Sequence, residues 1–238
     1  MAICSRRSRE LWYGPRLRDG AVFMANLHAN VSAHRWGPFF SGFLVPLRDN
    51  DFRWVWLSRI LLTFGYAAST ALGLYMLQSY ITPAMSLADA TRTAPLLTAA
   101  SLPGTIVALL LAGRISDRIG RRKPLVVAAS VLMALSMLIP LFWAALPALF
   151  LQSIVAGIAF GIYLPVDQAL FIDVLPDKAA AGRDLGIAGL GSNLGQALGP
   201  VLAGQVVALT GGYRGVWAVA TVLTAIAAIA ILRVRTAK

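Results

Sequence analysis

A short charged turn, Gly113-Arg-Ile-Ser-Asp117-Arg118-Ile-Gly120-Arg121-Arg122-Lys123, separates two long segments that carry no charge. The segment before it, residues 93–113, has 21 uncharged residues, and the segment after it, residues 124–166, has 43. A helix that crosses a membrane requires about 20 consecutive apolar residues. The pattern therefore predicts a polar turn between two membrane-spanning helices.

The same pattern continues in both directions from this turn. Uncharged runs of 29, 29 and 18 residues cover positions 60–88, 185–213 and 215–232. The 43-residue run is long enough for two spans, and Pro140 and Pro147, with Trp143 between them, indicate an interfacial turn within it. We therefore predict an all-α membrane protein with six transmembrane helices near 54–80, 94–113, 124–142, 147–171, 185–209 and 214–232.

The overall composition excludes an ordinary water-soluble domain. Of the 238 residues, 58% are hydrophobic and 13% are charged, and the mean hydropathy is +0.72. Soluble domains are nearer to half apolar and a quarter charged. With one Cys and two His, the chain lacks a disulfide framework or a metal cluster, and no spacing indicates a nucleophile or paired intramembrane carboxylates. We expect neither enzymatic activity nor a cofactor, and a membrane enzyme is the weakest interpretation.

The basic residues are strongly asymmetric across the predicted membrane. Eighteen of the 21 Lys and Arg residues fall on the side that holds both termini, two (Arg92 and Arg214) fall on the other, and Arg59 lies inside a helix. Positive residues mark the cytoplasmic side. We therefore predict a multi-pass protein of the cell membrane with both termini in the cytoplasm. We interpret the net charge of +11 as a signal that orients the protein in the membrane and as a means of contacting anionic lipid headgroups, and not as a sign of nucleic-acid binding.

Residues 1–52 differ from the rest of the chain. They hold 11 of the 31 charged residues, and neither a helical nor a strand period persists in them. We expect a cytoplasmic segment that is poorly ordered or lies at the membrane interface. The bundle would then occupy residues 53–238.

The charged turn has a more specific resemblance. Its pattern, G-x-[LI]-[AS]-D-R-x-G-R-R-K, is met by Gly113, Asp117, Arg118, Gly120, Arg121, Arg122 and Lys123. It resembles the signature loop of the major facilitator superfamily of secondary transporters, which joins the second and third helices of each six-helix half. The resemblance implies that the six helices form one half of such a carrier.

Two further stretches indicate which half this is. Residues 43–59 resemble the linker that leads into the seventh helix of actinobacterial-type members, and residues 167–186 resemble the loop between their tenth and eleventh helices. Gln152 stands where the first half usually carries an Arg. The resemblance covers residues 40–238 and implies the C-terminal half, with the first six helices absent from this chain.

A few polar residues inside the predicted spans are candidate functional residues. Polar groups at membrane depth face a bundle interior or a water-filled cavity, or form hydrogen bonds between helices. The possible cavity-lining residues are Asn193, Gln196, Gln152 and Tyr163. Arg59 can extend its guanidinium to the cytoplasmic surface, and a gating or pairing role is the other possibility for it. For Asp167, a pairing or gating role and a solvated helix end are equally supported.

Two other patterns concern packing. Small residues repeat every fourth position at Gly191, Gly195, Gly199 and Ala203, and similar faces occur at Gly157 and Gly161 and along 100–112. Such faces allow helices to approach closely in lipid. Aromatic residues near span ends, Trp217 among them, are expected to form interfacial belts.

The resemblance implies a secondary transporter of a small solute in which two halves alternate access to a central site. Asp117, with the arginines of its turn, would hold the cytoplasmic side closed by pairing with the opposing half. The lipid bilayer, the unknown solute, and either a second copy or a separate first-half chain are the expected partners. The alternative is a membrane protein without transport activity: an assembly partner, a regulator or an inactive remnant.

Overall fold

The computed structural model describes residues 46–175 and 181–235, and every regular element in these two ranges is a helix. The expectation for residues 1–45 lies outside the described residues. A short 3₁₀ helix, Pro46–Arg48, precedes seven α-helices. They are α1 (Asn50–Ala71), α2 (Gly73–Ser79), α3 (Leu87–Ile119), α4 (Lys123–Phe142), α5 (Leu146–Asp173), α6 (Ala181–Thr210) and α7 (Arg214–Leu232).

The first predicted helix, 54–80, is broken in the structure. It begins earlier than predicted, because the Asp49 carboxylate accepts a hydrogen bond from the Phe52 N–H at 2.9 Å and caps the first turn. It then stops at Leu72, and α1 and α2 meet at an angle of 47°. Just before the break, the Ser69 and Thr70 hydroxyls donate to the Tyr66 carbonyl, a competition with backbone bonding that bends helices. The prediction of one continuous helix was wrong here.

The second predicted helix is longer than its uncharged segment. Predicted over 94–113, it extends from Leu87 to Ile119. The Ser86 hydroxyl accepts from the Asp89 N–H at the start, and Gly120 ends the helix with a φ of 62°. Glycine adopts this left-handed conformation without steric cost. The charged residues therefore mark where the uncharged part of the helix begins and ends, while the helix itself continues beyond them at both ends.

The other four predicted helices agree closely with the structure. The long uncharged run divides where Pro140 and Pro147 indicated, since α4 ends at Phe142 and α5 begins at Leu146. Helices α6 and α7 begin and end within four residues of their predicted bounds.

Several helices are suited to a membrane. Four of them, α3, α4, α5 and α7, are long and apolar enough to cross it, and the bent pair α1 and α2 qualifies as a fifth span. Helix α6 is long enough, but its Gly, Asn and Gln residues make it less apolar than the others. An all-helical membrane bundle is confirmed, and a count of six spans stays a prediction.

Hydrogen bonds between helix ends define the two ends of the bundle. One end carries residues 113–123, and we call it the loop end. There, Lys123 donates a hydrogen bond to the Leu232 carbonyl of α7. The Trp56 indole of α1 donates to the Ile187 carbonyl of α6. At the opposite end, the Tyr80 hydroxyl donates to the Pro140 carbonyl. Successive long helices are therefore antiparallel.

The helices form an open arc. Helix α1 packs against α6 and α7, α4 packs against α7 and α5, and α5 packs against α3. Helices α3 and α6 therefore stand at the two ends of the arc. The outer surface of α3 is apolar and exposed, and Leu110 on it is 59% accessible. Exposed surface of this kind is expected where lipid is the solvent.

Glycines bring two pairs of helices into direct backbone contact, as their spacing predicted. Gly191, Gly195, Gly199 and Ala203 are all buried on α6. A Cβ at Gly199 would lie 2.5 Å from the Ala67 Cβ of α1, and one at Gly195 would lie 2.9 Å from the Ile60 carbonyl oxygen. On α5, a Cβ at Gly157 would lie 2.7 Å from the Ser101 carbonyl oxygen of α3.

We predict opposite effects for one methyl group at two positions of α6. Gly195→Ala should lower the free energy of unfolding by about 1–3 kcal/mol, because the added Cβ meets the α1 backbone. Gly204→Ala is the matched control, since nothing lies within 4 Å of its Cβ position and alanine favours helix by up to about 1 kcal/mol. Equilibrium unfolding in detergent measures both. Equal stability of the two variants would contradict the packing described here.

Candidate functional site

A cavity of about 250 Å³ lies beside the break between α1 and α2. Helices α1, α2, α3, α5 and α7 all contribute to its wall. Half of its lining residues are polar or amphipathic: Tyr66, Ser69, Thr70, Thr98, Ser101, Gln152, Ser153 and Trp217. Irregular backbone at membrane depth is tolerated where it lines such a cavity. We call this space the upper cavity, since it lies toward the end opposite the loop.

A second cavity, of about 270 Å³, lies between α1, α5 and α6. We call it the middle cavity. It shares Tyr66, Thr70 and Ala71 with the upper cavity, so the two are neighbours. Gln196 and Pro200 of α6 contribute to its wall, and the Phe160 ring stacks on Tyr66 with centroids 5.3 Å apart.

The four residues proposed as cavity lining have different positions. Gln152 lines the upper cavity and Gln196 lines the middle cavity. Asn193 is exposed on α6 and belongs to neither lining, and Tyr163 is buried on α5 away from both.

The sequence analysis did not predict several of the residues that line the cavities. Trp217 was expected in an interfacial belt, but it is only 2% exposed and lines the upper cavity, so that expectation was wrong. The small polar pair Ser69 and Thr70 marks the helix break, and Thr98 and Ser101 lie one turn apart on α3. Pairs of hydroxyl residues within the uncharged segments were the feature of the sequence that could have predicted these lining residues.

A buried ion pair joins α1 to α5 on the loop side of the middle cavity. The Arg59 Nε donates to Asp167 Oδ2 at 2.6 Å, and Arg59 Nη2 contacts the same oxygen. Both side chains are at most 3% exposed. The guanidinium also lies over the Phe171 ring, 4.1 Å from its centroid. Of the two possibilities for Arg59, the structure shows the pairing role, and the guanidinium does not reach the membrane surface.

The ion pair has a third buried polar neighbour. The hydroxyl of Tyr163, one turn earlier on α5, interacts with Asp167, although neither it nor Asp167 Oδ1 forms a hydrogen bond of standard geometry among the described residues. Thr63 stands one turn after Arg59 and lines the middle cavity. The pair thus fastens α1 to α5 between the cavities and the loop end.

We predict that losing one partner of this pair destabilises the protein more than losing both. Asp167→Leu should lower the free energy of unfolding by about 3–5 kcal/mol, because it strands the buried Arg59 guanidinium. Arg59→Met combined with Asp167→Leu should recover most of that loss. Equilibrium unfolding of the single and double variants in detergent measures the coupling.

The control for this prediction is the exposed ion pair between Arg122 and Asp173, whose side chains are 27% and 44% accessible. Asp173→Asn should cost about 0–1 kcal/mol, as exposed pairs do. Strictly additive effects of the Arg59 and Asp167 substitutions would show that the buried contact contributes nothing.

The charged turn of residues 113–123, from here on called the signature turn, contains two groups of residues with different surroundings. The inward group is Arg122 and Lys123, and the outward group is described below. Arg122 donates to the Ala169 carbonyl at 2.8 Å and to Asp173 at 2.7 Å, both at the end of α5. Lys123 donates to the carbonyls of Leu232 and Val234, at the end of α7, where a cation is favoured by the helix dipole. The inward group therefore attaches the turn to two helix ends, and half-buried Gly113 lies in the last turns of α3.

The outward group consists of Asp117, Arg118 and Arg121, with Gly120 between them. All four residues are exposed. Within the described parts of the chain, the three charged side chains form no hydrogen bond or ion pair. An anion and two cations thus face outward from the loop end, available to a partner.

The described residues contain no group of three or more His, Cys, Asp or Glu side chains that could hold a metal ion. The polar groups of the cavities are instead hydroxyls, amides, an indole and a phenol. Groups of these types bind and orient a solute by hydrogen bonding.

This architecture defines a class, the multi-pass helical membrane proteins with polar cavities between their helices. The chain belongs to the Major Facilitator Superfamily, whose family profile matches residues 55–238. Members of this superfamily are transmembrane transporters and not enzymes. No curated protein gives a significant match to the sequence.

Proposed function

We propose that the chain is the C-terminal six-helix half of a secondary active transporter that moves a small solute by alternating access. The observation that carries this proposal is the pair of adjoining, partly open cavities among the helices, in each of which about half of the lining residues carry polar groups. In transporters built from repeats, substrates bind at the interface between the repeats, and broken helices contribute to the site. The break between α1 and α2 lies at such a cavity.

The open arc supports the presence of a second half. Asn193, Gln196 and Pro200 are exposed on α6, at one end of the arc. Polar groups exposed to hydrocarbon cost free energy, so a second six-helix half should cover this face. The rest of a longer polypeptide, a separate chain or a second copy of this chain could supply it.

The outward group of the signature turn supports a gate at the loop end. A carboxylate with no partner among the described residues of its own half can accept charge-assisted hydrogen bonds from the opposing half or face a helix N-terminus there. Asp117 would hold the two halves together in this way, with Arg118 and Arg121 contributing cations. By contrast, the ion pair of Arg59 and Asp167 lies within this half, so its role would be to keep the half rigid.

The orientation follows from the distribution of basic residues. Of the 13 Lys and Arg residues in the described ranges, 10 lie at the loop end, and cations accumulate on the cytoplasmic side. We therefore place the loop end in the cytoplasm and the upper cavity toward the outside of the cell membrane.

Water in the cavities is the first testable consequence. In a Cys4→Ser background, Thr70→Cys and Gln196→Cys should react with a membrane-impermeant maleimide several-fold faster than Leu110→Cys. The first two positions line the cavities, whereas Leu110 lies on the lipid-exposed surface of α3. The measurement is the labelling rate in right-side-out and inverted membrane vesicles.

An added Arg121→Cys variant reports the orientation in the same vesicles. It should label in inverted vesicles and stay protected in right-side-out ones. Equal, slow labelling of Thr70→Cys, Gln196→Cys and Leu110→Cys would overturn the transporter assignment, because it would mean that no water reaches the cavities.

The gate is tested by neutralising its carboxylate. Asp117→Asn should increase the labelling rate of Thr70→Cys in inverted vesicles, because the cytoplasmic side closes less firmly. Asp89→Asn is the matched control, since Asp89 lies near the start of α3 and contacts Ser86 of its own helix start. An unchanged labelling rate with Asp117→Asn would remove Asp117 from the gate.

A further inference from the structure

Two buried side chains of the upper cavity hold hydrogen-bond donors that the described chain hardly uses. The Trp217 Nε1–H is buried and has no hydrogen-bond partner among the described residues. Gln152 is 5% exposed, and its amide nitrogen contacts only the Met137 sulfur, at 3.8 Å. A thioether is a weak acceptor, so both donors retain capacity for a bound molecule.

The hydroxyls of the same cavity supply acceptors. Ser69 and Ser101 each donate to a carbonyl of their own helix at 2.7 Å, and Thr70 does so at 3.1 Å. Their single protons are thereby engaged, while the oxygen lone pairs remain free to accept. The lining therefore offers donors from Trp217 and Gln152 and acceptors from three hydroxyls.

Charge is absent from both linings. No Asp, Glu, Lys, Arg or His is among the described residues that form the upper or the middle cavity. The buried charges of Arg59 and Asp167 are paired with each other. A charged or zwitterionic solute would leave water without meeting an opposite charge on this side of the site, which is costly.

Aromatic rings complete the site. Tyr66 and Trp217 both line the upper cavity, and the Tyr66 ring stacks at 15° on the Phe160 ring of the neighbouring middle cavity. Flat rings beside donors and acceptors suit a solute with an apolar C–H face and a rim of hydroxyls. The groove between α3 and α5 has no such character, because its lining is aliphatic and suits lipid tails: Gly104, Val107, Ala108, Leu111, Ala112, Ile115, Leu125, Ile158 and Ile162.

We propose that the upper cavity binds a neutral polyhydroxylated solute, a sugar or polyol of monosaccharide size, through the Trp217 indole N–H and the Gln152 amide. This inference rests on the proposed function, since it names the class of solute that the transporter site would take. Binding, unlike transport, can be measured on the purified chain alone.

The test is ligand binding to the purified full chain in mild detergent, followed by thermal unfolding. The neutral probes are D-glucose, D-xylose and myo-inositol, and the charged probes are L-alanine, succinate and inorganic phosphate. We expect saturable stabilisation by at least one neutral probe and none by the charged probes. Saturable stabilisation by charged probes alone, or by none of the six, would overturn the inference.

Two variants connect binding to the named donors. Trp217→Phe and Gln152→Leu should each weaken binding of the effective probe about tenfold, the factor that loss of one hydrogen bond produces. Leu110→Ala, on the exposed surface of α3, should leave the affinity unchanged. Trp217→Phe removes the indole N–H but keeps an aromatic ring in the lining, so it remains informative if Gln152→Leu fails to fold. Unchanged affinity in a folded donor variant would overturn the role of that donor.

The outcome is separable from that of the proposed function. Maleimide labelling of Thr70→Cys depends on water in the cavity and not on the identity of the solute. Rapid labelling together with no binding of neutral probes would overturn the sugar or polyol class and leave the transporter assignment standing. Slow labelling would overturn both.

Discussion

Direct contact between helix backbones at glycines is the constraint on which the bundle depends. In lipid, apolar side chains gain little by leaving the solvent, so helices associate through close packing and polar contacts. Gly195 and Gly199 let α6 lie against α1, and Gly157 does the same for α5 and α3. These contacts set the positions of α1, α3, α5 and α6, which form the cavity walls together with α2 and α7. A larger residue at Gly195 or Gly199 would displace a wall of the middle cavity, and one at Gly157 would displace a wall of the upper cavity.

Polar contacts add specificity to this packing. The Arg59–Asp167 pair fixes one relative position of α1 and α5, because its geometry is lost when either helix slides or rotates. Replacing a buried ion pair by apolar residues often costs little stability, so its value would lie in choosing one arrangement over others. The pair stands between the cavities and the loop end, where a defined helix position matters most for a gate.

The sequence predicted the helices well, because the absence of charge over about 20 residues is a direct consequence of membrane burial. It predicted the packing glycines for a similar reason, since their four-residue spacing places them on one helix face. It failed where the outcome depends on contacts between distant residues. Arg59 and Asp167 were each predicted as possible pairing residues, but the sequence does not show that they pair with each other across 108 residues. The break at Leu72 and the burial of Trp217 likewise depend on which helices surround them.

The inward group of the signature turn has a mechanical consequence. Arg122 and Lys123 tie the ends of α5 and α7 to the start of α4, so three helices are cross-braced at the loop end. At the other end, the short helix α2 follows a 47° bend and is only seven residues long. The bundle is thus cross-linked between three helices at the loop end, whereas its opposite end contains a short helix after a bend. A displacement of the turn would therefore move α4, α5 and α7 together, and the bend, which borders the upper cavity, is where the backbone could adjust to that movement.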